Sequence, residues 1–356
     1  MSSDAAFFVT NAKKIYQIFV FSLKDGSKEK KFMAKEKVLV IGGAGYIGSH
    51  VVKALLADGF KVTVYDNLST GQKCNLFANA DFIEGDILDA PHLNNVMAQG
   101  FAAVIHLAAK KAVGESMENP QLYATNNIIG SINVLNAMVN NGVKNMVFSS
   151  TAAAFGSPEY VPVDENHPLN PMSFYGFTKV KIEELMHWYA ELKDFHYIAL
   201  RYFNAVGYAA DGSIRGKEIN SQNLLPIVMD VATGRREILH VFGNDYDTPD
   251  GTCLRDYIHV EDLASAHVAA IKKLLREPKS YCLNLGTGKG TSVLEIIKAT
   301  ERVTGKKINY GFAPRRAGDP AVIVTTAALA EKVLNWRPQY TDMDKIIQTT
   351  WNLEVK

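Results

Sequence analysis

The segment KVLVIGGAGYIGSH, residues 37–50, decides the fold of this chain. Residues 38–41 form an unbroken aliphatic run, which is typical of a strand buried on both faces of a parallel sheet. A glycine-rich turn follows at once, and the pattern after it predicts a helix over 46–57. A buried strand that leads through such a turn into a helix indicates the first βα unit of an α/β fold.

Strand and helix patterns alternate from this segment to residue 204. Further strands are predicted over 61–65, 80–84, 103–106, 145–149 and 196–201, and helices over 122–140 and 174–192. Six strands joined by crossovers predict a Rossmann-type doubly wound parallel sheet.

The pattern changes after residue 204, where glycine and polar residues become frequent and a long loop is predicted over 242–255. Shorter elements follow, with helices predicted over 224–232, 261–275 and 293–304, and strands over 282–285 and 308–312. We therefore predict three parts. These are an N-terminal extension at 1–34, a dinucleotide-binding domain at 35–204, and a smaller α/β substrate domain at 205–356, with segments such as 257–286 able to pack back on the first sheet.

The composition favours a small-molecule partner. The chain has 356 residues, and its 38 basic and 37 acidic side chains leave a formal charge of +1. A nearly neutral protein lacks the basic surface of a nucleic-acid binder or of a protein that lies on membranes. No run reaches the roughly 18 apolar residues that a membrane span requires.

The cysteines and the N-terminal segment indicate the cellular compartment of the protein. Cys74, Cys253 and Cys282 are odd in number and far apart, so neither a disulfide framework nor a zinc knuckle is expected, and a reducing cytoplasm fits. The apolar run 15–23 follows two lysines, but it is short and leads into the charged stretch 24–31 instead of a cleavage site. We therefore expect a poorly ordered extension and not a secretory signal.

The glycine turn predicts a dinucleotide site. Gly42, Gly45 and Gly48 let the backbone approach a pyrophosphate, which binds the free N–H groups and the positive dipole end of the next helix. Asp66 ends the second predicted strand, where a carboxylate can bond both ribose hydroxyls and repels a 2′-phosphate. No basic residue occurs in 67–71, so NAD is favoured over NADP.

A tyrosine, a lysine and a threonine form the candidate catalytic group. Tyr175 and Lys179 are four residues apart and share one face of a predicted helix, and Thr151 ends the strand before it. To act as a base near neutral pH, the tyrosine needs its pKa lowered by about 3 units, or about 4 kcal/mol. The lysine and a cationic nicotinamide are expected to supply this together.

Two other chemistries are disfavoured. Asp256, His259 and Asp262 recur every three residues, but such spacing is common at a helix start and no H-E-x-x-H is present, so no metal is expected. Cys253 lies near Arg255, which could lower the pKa of a thiol, yet no partner base is evident.

Six segments together resemble the extended short-chain dehydrogenase/reductase family, and within it the branch that epimerises nucleotide sugars at C4′. They span nearly all of residues 37–353, and they are 42–50, 111–116, 201–204, 242–246, 255–260 and 313–316. The resemblance implies that Tyr175 is the general base, that Lys179 binds the nicotinamide ribose, and that Thr151 binds the reacting oxygen.

The resemblance also implies a set of binding residues. Cofactor contacts are expected at Gly42, Gly45, Tyr46, Ile47, Gly48, Asp66, Asn67, Asp86, Ile87, Leu107, Lys111, Asn126, Ser149, Tyr175, Lys179 and Phe203. Substrate contacts are expected at Lys111, Thr151, Tyr175, Asn204, Asn223, Leu224, Phe242, Arg255, Arg316, Asp319 and Ile323. Guanidinium groups at Arg255 and Arg316 suit a diphosphate or its ribose.

The implied reaction is the interconversion of UDP-glucose and UDP-galactose. UDP-N-acetylglucosamine and UDP-pentoses remain alternative substrates. Ile323 stands at the family's gate to the hexose pocket and is intermediate in size, so weak use of N-acetylated sugars is expected. A dehydratase would need an Asp-Glu pair where this chain has Ala152 and Ala153. A non-enzymatic NAD sensor is disfavoured because the candidate catalytic residues are intact.

A homodimer is expected from the same resemblance, because the family pairs two helices with their copies in a four-helix bundle. Two apolar stripes would form the contact. The first stripe is Ile128, Ile132, Leu135 and Val139, and the second is Ile182, Leu185, Met186 and Tyr189.

Overall fold

A computed structural model describes residues 36–218, 221–316 and 319–355, so the extension predicted at 1–34 lies outside the described residues. The strands are β1 Lys37–Ile41, β2 Lys61–Asp66, β3 Asp81–Glu84, β4 Ala103–His106, β5 Asn145–Thr151, β6 His196–Tyr202, β7 Asn204–Val206, β8 Leu239–Phe242, β9 Leu254–His259, β10 Tyr281–Leu285, β11 Gly290–Ser292, β12 Tyr310–Ala313 and β13 Val322–Ile323.

The helices lie mostly between these strands. They are α1 Tyr46–Ala57, α2 Ala90–Met97, α3 Val113–Glu118, α4 Pro120–Tyr123, α5 Gly130–Asn140, α6 Phe174–Leu192, α7 Leu224–Ala232, α8 Val260–Arg276, α9 Val293–Thr304, α10 Ala328–Leu334 and α11 Met343–Glu354, with short 3₁₀ turns at Lys73–Asn75 and Ala152–Ala154. None of the helices in the described part of the chain has the length and hydropathy to cross a membrane.

The main sheet has the order β10-β6-β5-β4-β1-β2-β3, and every pair in it is parallel. The chain builds one half outward from β1 to β3 and then returns to the other side of β1 to place β4. The predicted doubly wound Rossmann-type fold is thereby confirmed. A reversal of strand order between β1 and β4 creates a crevice at the carboxyl ends of the strands, where ligands bind in such folds.

Alternate side chains of β1 enter two separate cores. Val38 and Val40 pack on one face of the sheet with apolar residues of α1 and α8. Leu39 and Ile41 pack on the opposite face with residues of α2, α5 and α6. The continuous aliphatic run of β1 is needed because both of its faces are buried, as expected for a parallel sheet.

The second half of the chain builds a third core and two small sheets. The core joins α7, β8, α9 and α11. One small sheet has the order β11-β9-β13, with β7 also pairing β9, and the other pairs β12 with β8. β10 instead joins the main sheet beside β6, so part of the predicted 257–286 segment packs back on that sheet. The boundary at residue 204 stays a prediction.

Two predicted elements were wrong in detail. The helix predicted over 122–140 is divided into α4, a π-helical turn at Ala124–Ile129, and α5. The loop predicted over 242–255 is shorter, because β8 ends at Phe242 and β9 begins at Leu254. The π-helical turn at Ala124–Ile129 is wider than an α-helical turn, and turns of this kind are often found at functional sites.

Gly48→Ala tests the close contact between β1 and α1. A Cβ at Gly48 would lie 2.0 Å from the carbonyl oxygen of Gly42, which is backbone and cannot rotate away. We expect the free energy of unfolding to fall by about 2 kcal/mol or more. Urea titration followed by circular dichroism measures this. In the control Gly311→Ala, the nearest atom would be 3.5 Å away, so stability should be unchanged. Equal stability of both variants would contradict the assigned contact.

Candidate active site

The glycine turn forms a narrow cradle between β1 and α1. Gly42 has a φ of +85°, and a Cβ there would lie 2.7 Å from the backbone nitrogen of Ala108. Gly45 precedes α1 with no side-chain cap on the helix. The first N–H groups of α1 therefore stay available to an anion. The cradle fits the pyrophosphate of a dinucleotide, as the sequence predicted.

The Tyr46 side chain, at the start of α1, packs against the segment that follows β7. Its hydroxyl donates to the Gly207 carbonyl at 2.6 Å, and its ring lies 5.0 Å from that of Tyr208. Ile47 packs against the core on the α1 face of the sheet. These contacts attach the start of α1 to the segment that follows β7.

Asp66 lies at the end of β2, beside the glycine turn. Its carboxylate accepts hydrogen bonds from the N–H groups of Ala44, at 3.0 Å, and Leu68, at 2.8 Å. Burial raises the pKa of Asp66, while these two hydrogen bonds oppose the shift. The side chain is thus held by backbone at the position that the sequence predicted for a ribose ligand.

Asn67 and Asp86 join the ends of β2 and β3. The Asn67 amide donates to Asp86 Oδ2 at 2.8 Å, and the Tyr65 hydroxyl donates to the Asp86 carbonyl at 2.8 Å. Ile87 is buried and lies under Gly130, where a Cβ would come within 2.4 Å of its side chain. The predicted adenine-side residues therefore form one continuous group with Asp66.

The candidate catalytic residues meet where β5 ends and α6 begins. Lys179 is buried, and its Nζ donates to the Ser149 carbonyl at 2.8 Å. The same atom lies 5.9 Å from the centre of the Tyr175 ring and 4.7 Å from that of Phe148. The Thr151 hydroxyl lies close enough to the Tyr175 phenol to lower its pKa, and it accepts a hydrogen bond from the Ala153 N–H at 3.1 Å. The four-residue spacing on α6 therefore brings the predicted tyrosine and lysine to the end of the strand that carries the predicted threonine.

Burial opposes the charged forms of both titrating groups. It raises the pKa of Tyr175 to about 12, against the hydrogen bond from Thr151, which lowers it. Burial lowers the pKa of Lys179 to about 7, against the charge of Glu183, which raises it. In the protein alone, therefore, burial outweighs the groups that favour the Tyr175 phenolate.

An apolar wall stands beside the catalytic group. Phe155, Val163 and Phe203 form a buried cluster, and Ala152 and Ile323 pack against it. Since Ala152 follows Thr151 directly, this wall borders the catalytic hydroxyls. The role of Ile323 at the hexose pocket stays a prediction.

The two predicted arginines lie on different elements, Arg255 in β9 and Arg316 in the loop after β12. Arg255 faces Ile323 in the β9–β13 pair, and its guanidinium lies 3.5 Å from the Asp319 carboxylate. Arg316 stacks on the Phe242 ring, with 3.9 Å between the guanidinium carbon and the ring centre. Arg255, Asp319 and Ile323 are therefore brought together, as are Arg316 and Phe242.

Asn204 is held by the strand that carries Arg255. Its amide donates to the Asp256 carbonyl at 2.9 Å. Asn204 is also the first residue of β7, which pairs with β9. The end of the main sheet and the arginine-bearing sheet are thus connected through this side chain.

Glu218 is a residue that sequence reasoning missed. Its carboxylate forms an ion pair with Lys111 and accepts hydrogen bonds from the Ser221 hydroxyl at 2.5 Å and the Asn223 amide at 3.3 Å. Leu224 begins α7 directly after this group. Glu218 occurs in an irregular loop, so no periodic pattern could have identified it.

Asn127, which sequence reasoning did not single out, fixes the segment after β4, while Asn126 stays a predicted cofactor contact. It is buried, and it bonds both the N–H and the carbonyl of Lys110, at 2.8 and 2.9 Å. Asn126 donates to the Asn127 side chain at 3.0 Å. Leu107 extends β4 by donating to the Ile41 carbonyl at 2.9 Å. The π-helical turn aims Asn127 at this segment, which a regular helical pattern did not predict.

The residues considered for metal or thiol chemistry have other surroundings. Asp256 accepts hydrogen bonds from Thr287 and Gly288, and Asp262 accepts two from backbone N–H groups at 339 and 340. Across the described ranges, no group of three metal-ligating side chains is arranged to hold an ion. Burial raises the pKa of the Cys253 thiol, which disfavours a thiolate.

Comparison with known proteins gives a consistent result. A UDP-glucose 4-epimerase of Lacticaseibacillus casei is 45% identical over 316 residues, which cover 88% of this chain and 96% of that protein. The structure of UDP-glucose 4-epimerase from Brucella ovis in complex with NAD has a TM-score of 0.86 at 44% identity, and the match covers 88% of this chain and 97% of that one.

A second structure, UDP-glucose 4-epimerase from Bifidobacterium longum in complex with NAD⁺ and UDP, has a TM-score of 0.84 at 37% identity, with 90% and 98% of the two chains covered. Residues 38–286 match the NAD dependent epimerase/dehydratase family. The glycine cradle and the tyrosine–lysine pair lie within that match. The chain therefore belongs to the NAD dependent epimerase/dehydratase family.

Proposed function

We propose that this protein interconverts UDP-galactose and UDP-glucose by oxidising the sugar at C4′, turning the 4-keto sugar, and reducing it on its other face. The observation that carries the proposal is the meeting of Tyr175, Lys179 and Thr151 at the end of β5, in the same sheet as the glycine cradle. The similarity to UDP-glucose 4-epimerases over about nine-tenths of the chain supports it.

The cofactor is NAD, and the residues around the cradle fit it. The N–H groups at the start of α1 would bind its pyrophosphate, and Asp66 would bind the adenine ribose. Asn67, Asp86 and Ile87 lie on the adenine side, and Lys179 would bind the nicotinamide ribose. NAD supplies the oxidant for C4′ and, being cationic at the nicotinamide, favours the phenolate form of a neighbouring tyrosine.

Tyr175 acts as the general base toward the 4′-hydroxyl and returns the proton when the ketone is reduced. Thr151 holds the reacting oxygen by a hydrogen bond from its hydroxyl. Lys179 favours the phenolate by its positive charge. Because the proton that leaves is later returned, the reaction needs no other acid or base.

The UDP half must be held firmly while the hexose turns. Arg255 and Arg316 would bind the diphosphate or its ribose, since a guanidinium matches two oxygens at once. Asn204, Asn223, Leu224, Phe242 and Asp319 would surround the rest of the nucleotide, with Lys111 near the diphosphate. The apolar wall of Phe203 and Ile323 offers the sugar few hydrogen bonds, which permits rotation.

A direct assay tests the function. The purified protein is incubated with UDP-galactose, UDP-N-acetylgalactosamine and UDP-arabinose in turn, and the products are separated by chromatography. We expect UDP-glucose to form from UDP-galactose without added NAD, because a cofactor that is regenerated in each turnover can stay bound. Failure to convert UDP-galactose, with or without NAD, would contradict the proposal.

Tyr175→Phe should keep the fold and the bound NAD but lose the base. We expect kcat to fall by about 10²-fold to 10⁴-fold. The dinucleotide released on denaturing the variant measures NAD retention. Tyr310→Phe is the control, since Tyr310 lies on β12 and its ring contacts Phe312. A rate near that of the wild type would remove Tyr175 from the mechanism.

Ile323 should set the tolerance for an N-acetyl group. It is β-branched and stiff at χ1, so it cannot turn aside as leucine or methionine can. We expect weak activity on UDP-N-acetylglucosamine and UDP-N-acetylgalactosamine. Ile323→Ala should raise this activity by about 10-fold to 200-fold, and Ile323→Tyr should abolish it. Rates on UDP-galactose and UDP-N-acetylgalactosamine are compared. Val322→Ala, on the neighbouring residue of β13, is the control. An unchanged ratio in both Ile323 variants would exclude this role.

A homodimer is also proposed, with its contact surface redrawn. Leu135, Ile182 and Met186, from the predicted stripes, are buried in the protein's own core, because both helices cover the sheet. The exposed apolar side chains on the outer surface of the same region include Ile129, 50% exposed, and Trp188, 60% exposed. Tyr189 of α6 donates to Asn136 of α5 at 2.7 Å, which holds the two helices side by side.

The double variant Ile129→Glu/Trp188→Glu should be monomeric, because two charges would have to be buried in the contact. Light scattering at micromolar concentration measures the mass. Val355→Glu changes an equally exposed apolar residue outside these helices and should leave the dimer intact. A wild-type monomer would contradict the proposed dimer.

We further propose a cytoplasmic location. All three cysteines are free, and Cys282 is close to the buried Glu183 carboxylate. Unpaired thiols are typical of proteins in a reducing compartment.

A further inference from the structure

A buried ion pair stands behind the catalytic residues. Glu183 follows Lys179 by one turn of α6, and its side chain is 5% exposed. It accepts hydrogen bonds from Arg201, at 3.1 Å from Nε and 2.6 Å from Nη2, and a further one from the Ser150 hydroxyl. Arg201 is buried to the same degree. The carboxylate and the guanidinium thus satisfy each other where an unpaired charge would be costly.

This ion pair joins three segments that carry predicted site residues. α6 provides the carboxylate as well as Tyr175 and Lys179. β5 provides Ser150, which lies between Ser149, whose carbonyl accepts from Lys179, and Thr151, which neighbours Tyr175. β6 provides Arg201, two residues before Phe203. One carboxylate therefore fixes the distance between the helix that carries the base and the strand that carries the hydroxyl.

A purely stabilising role does not account for the arrangement. Replacing a buried ion pair by apolar side chains is often neutral or stabilising. The Nη1 atom of Arg201 also finds no hydrogen-bond partner among the residues that the structure describes, and the guanidinium lies over the Phe155 ring at 5.2 Å. An unpaired buried donor costs stability. The network is therefore better explained by the orientation of the candidate catalytic residues than by a gain in the stability of the fold.

The charges around Lys179 come from four elements. On α6 itself are Tyr175 and Glu183. From β4 comes His106, whose pKa is lowered to about 3 by burial and by Lys179, so it is neutral near pH 7. From β6 comes Arg201, which is paired with Glu183, while β5 offers the Ser149 carbonyl and the Phe148 ring. Glu183 is the group in this set whose negative charge favours the ammonium form of Lys179.

We propose, building on the function proposed above, that Glu183 is a positioning residue for the epimerisation. Through Ser150 it holds β5, and with it Thr151 and the carbonyl that binds Lys179, in place beside Tyr175, and its charge favours the ammonium form of Lys179.

The test compares Glu183→Gln with the wild type on UDP-galactose over a range of pH. We expect kcat to fall by about 10-fold or more, because a small misplacement of catalytic groups is costly, while KM stays within about twofold. Without the carboxylate, Lys179 loses its proton at lower pH. The alkaline limb of the kcat profile should therefore move to lower pH by roughly one unit. An unmoved limb would overturn the proposal.

Two further variants complete the design. Glu184→Gln is the matched control, since Glu184 is exposed and pairs with Lys181 on the outer face of α6, and it should behave as the wild type. Glu183→Asp restores the charge with a shorter side chain, so the alkaline limb should return toward the wild-type pH while kcat stays reduced. A limb that remains displaced in Glu183→Asp would contradict the electrostatic part of the proposal and so overturn it.

Thermal unfolding by circular dichroism establishes whether Glu183→Gln folds. If it does not, Ser150→Ala removes one tether and leaves the ion pair intact. A lowered kcat at unchanged KM in that variant would support the proposal, and wild-type kinetics would overturn it. A wild-type protein that does not convert UDP-galactose would instead contradict the proposed function, so the two failures are distinguishable.

Discussion

The approach of Gly48 to the carbonyl of Gly42 is the contact on which the rest of the site depends. It leaves no room for a side chain, so α1 begins directly against the end of β1. Ala44, inside the turn, then meets three partners: its N–H donates to Asp66, and its carbonyl accepts from the Gln72 N–H and the Asn75 amide. The turn, the end of β2 and the loop beyond it are thereby fixed before any ligand binds.

Each basic side chain predicted to bind the substrate already contacts another side chain of the protein. Arg255 lies beside Asp319, Lys111 beside Glu218, and Arg316 on the Phe242 ring. If these side chains bind a diphosphate, as proposed, it must displace Asp319 from Arg255 and Glu218 from Lys111, which reduces the net gain from each new ion pair. Firm binding therefore depends on several such contacts acting together, and the residues are spread over β4–α3, β9 and the loops around β12 and β13 accordingly.

The sequence predicted those parts of the protein that local pattern determines. The aliphatic run of β1, the glycine turn and α6 from Phe174 to Leu192 are such parts, and the structure has them where they were expected. The break at Ala124–Ile129 was not predictable, because the apolar pattern continues through it. Segment 257–286 was expected to pack back on the first sheet, but its pairing beside β6 joins distant residues, which periodicity does not report.

The same distinction applies to the site. Tyr175 and Lys179 are recognisable because their spacing is local, whereas Glu218 and Arg201 act through partners far away in sequence. Glu183 has the i, i+4 spacing from Lys179 that usually marks an exposed helix pair. Only its burial and its bond to Arg201 distinguish it from the exposed Glu184 next to it.

Burial imposes one cost on the catalytic pair that the surrounding residues have to offset. A pKa of about 12 keeps the Tyr175 phenol neutral near pH 7, and a pKa of about 7 leaves only part of the Lys179 amine protonated in the protein alone. Each unit of pKa corresponds to about 1.4 kcal/mol, so taking Tyr175 to neutrality requires on the order of 7 kcal/mol. One hydrogen bond from Thr151 is too weak to supply that. Positive charge must therefore be present beside the phenol, and a network that favours the ammonium form of Lys179 is worth retaining even where it leaves an Arg201 donor unpaired.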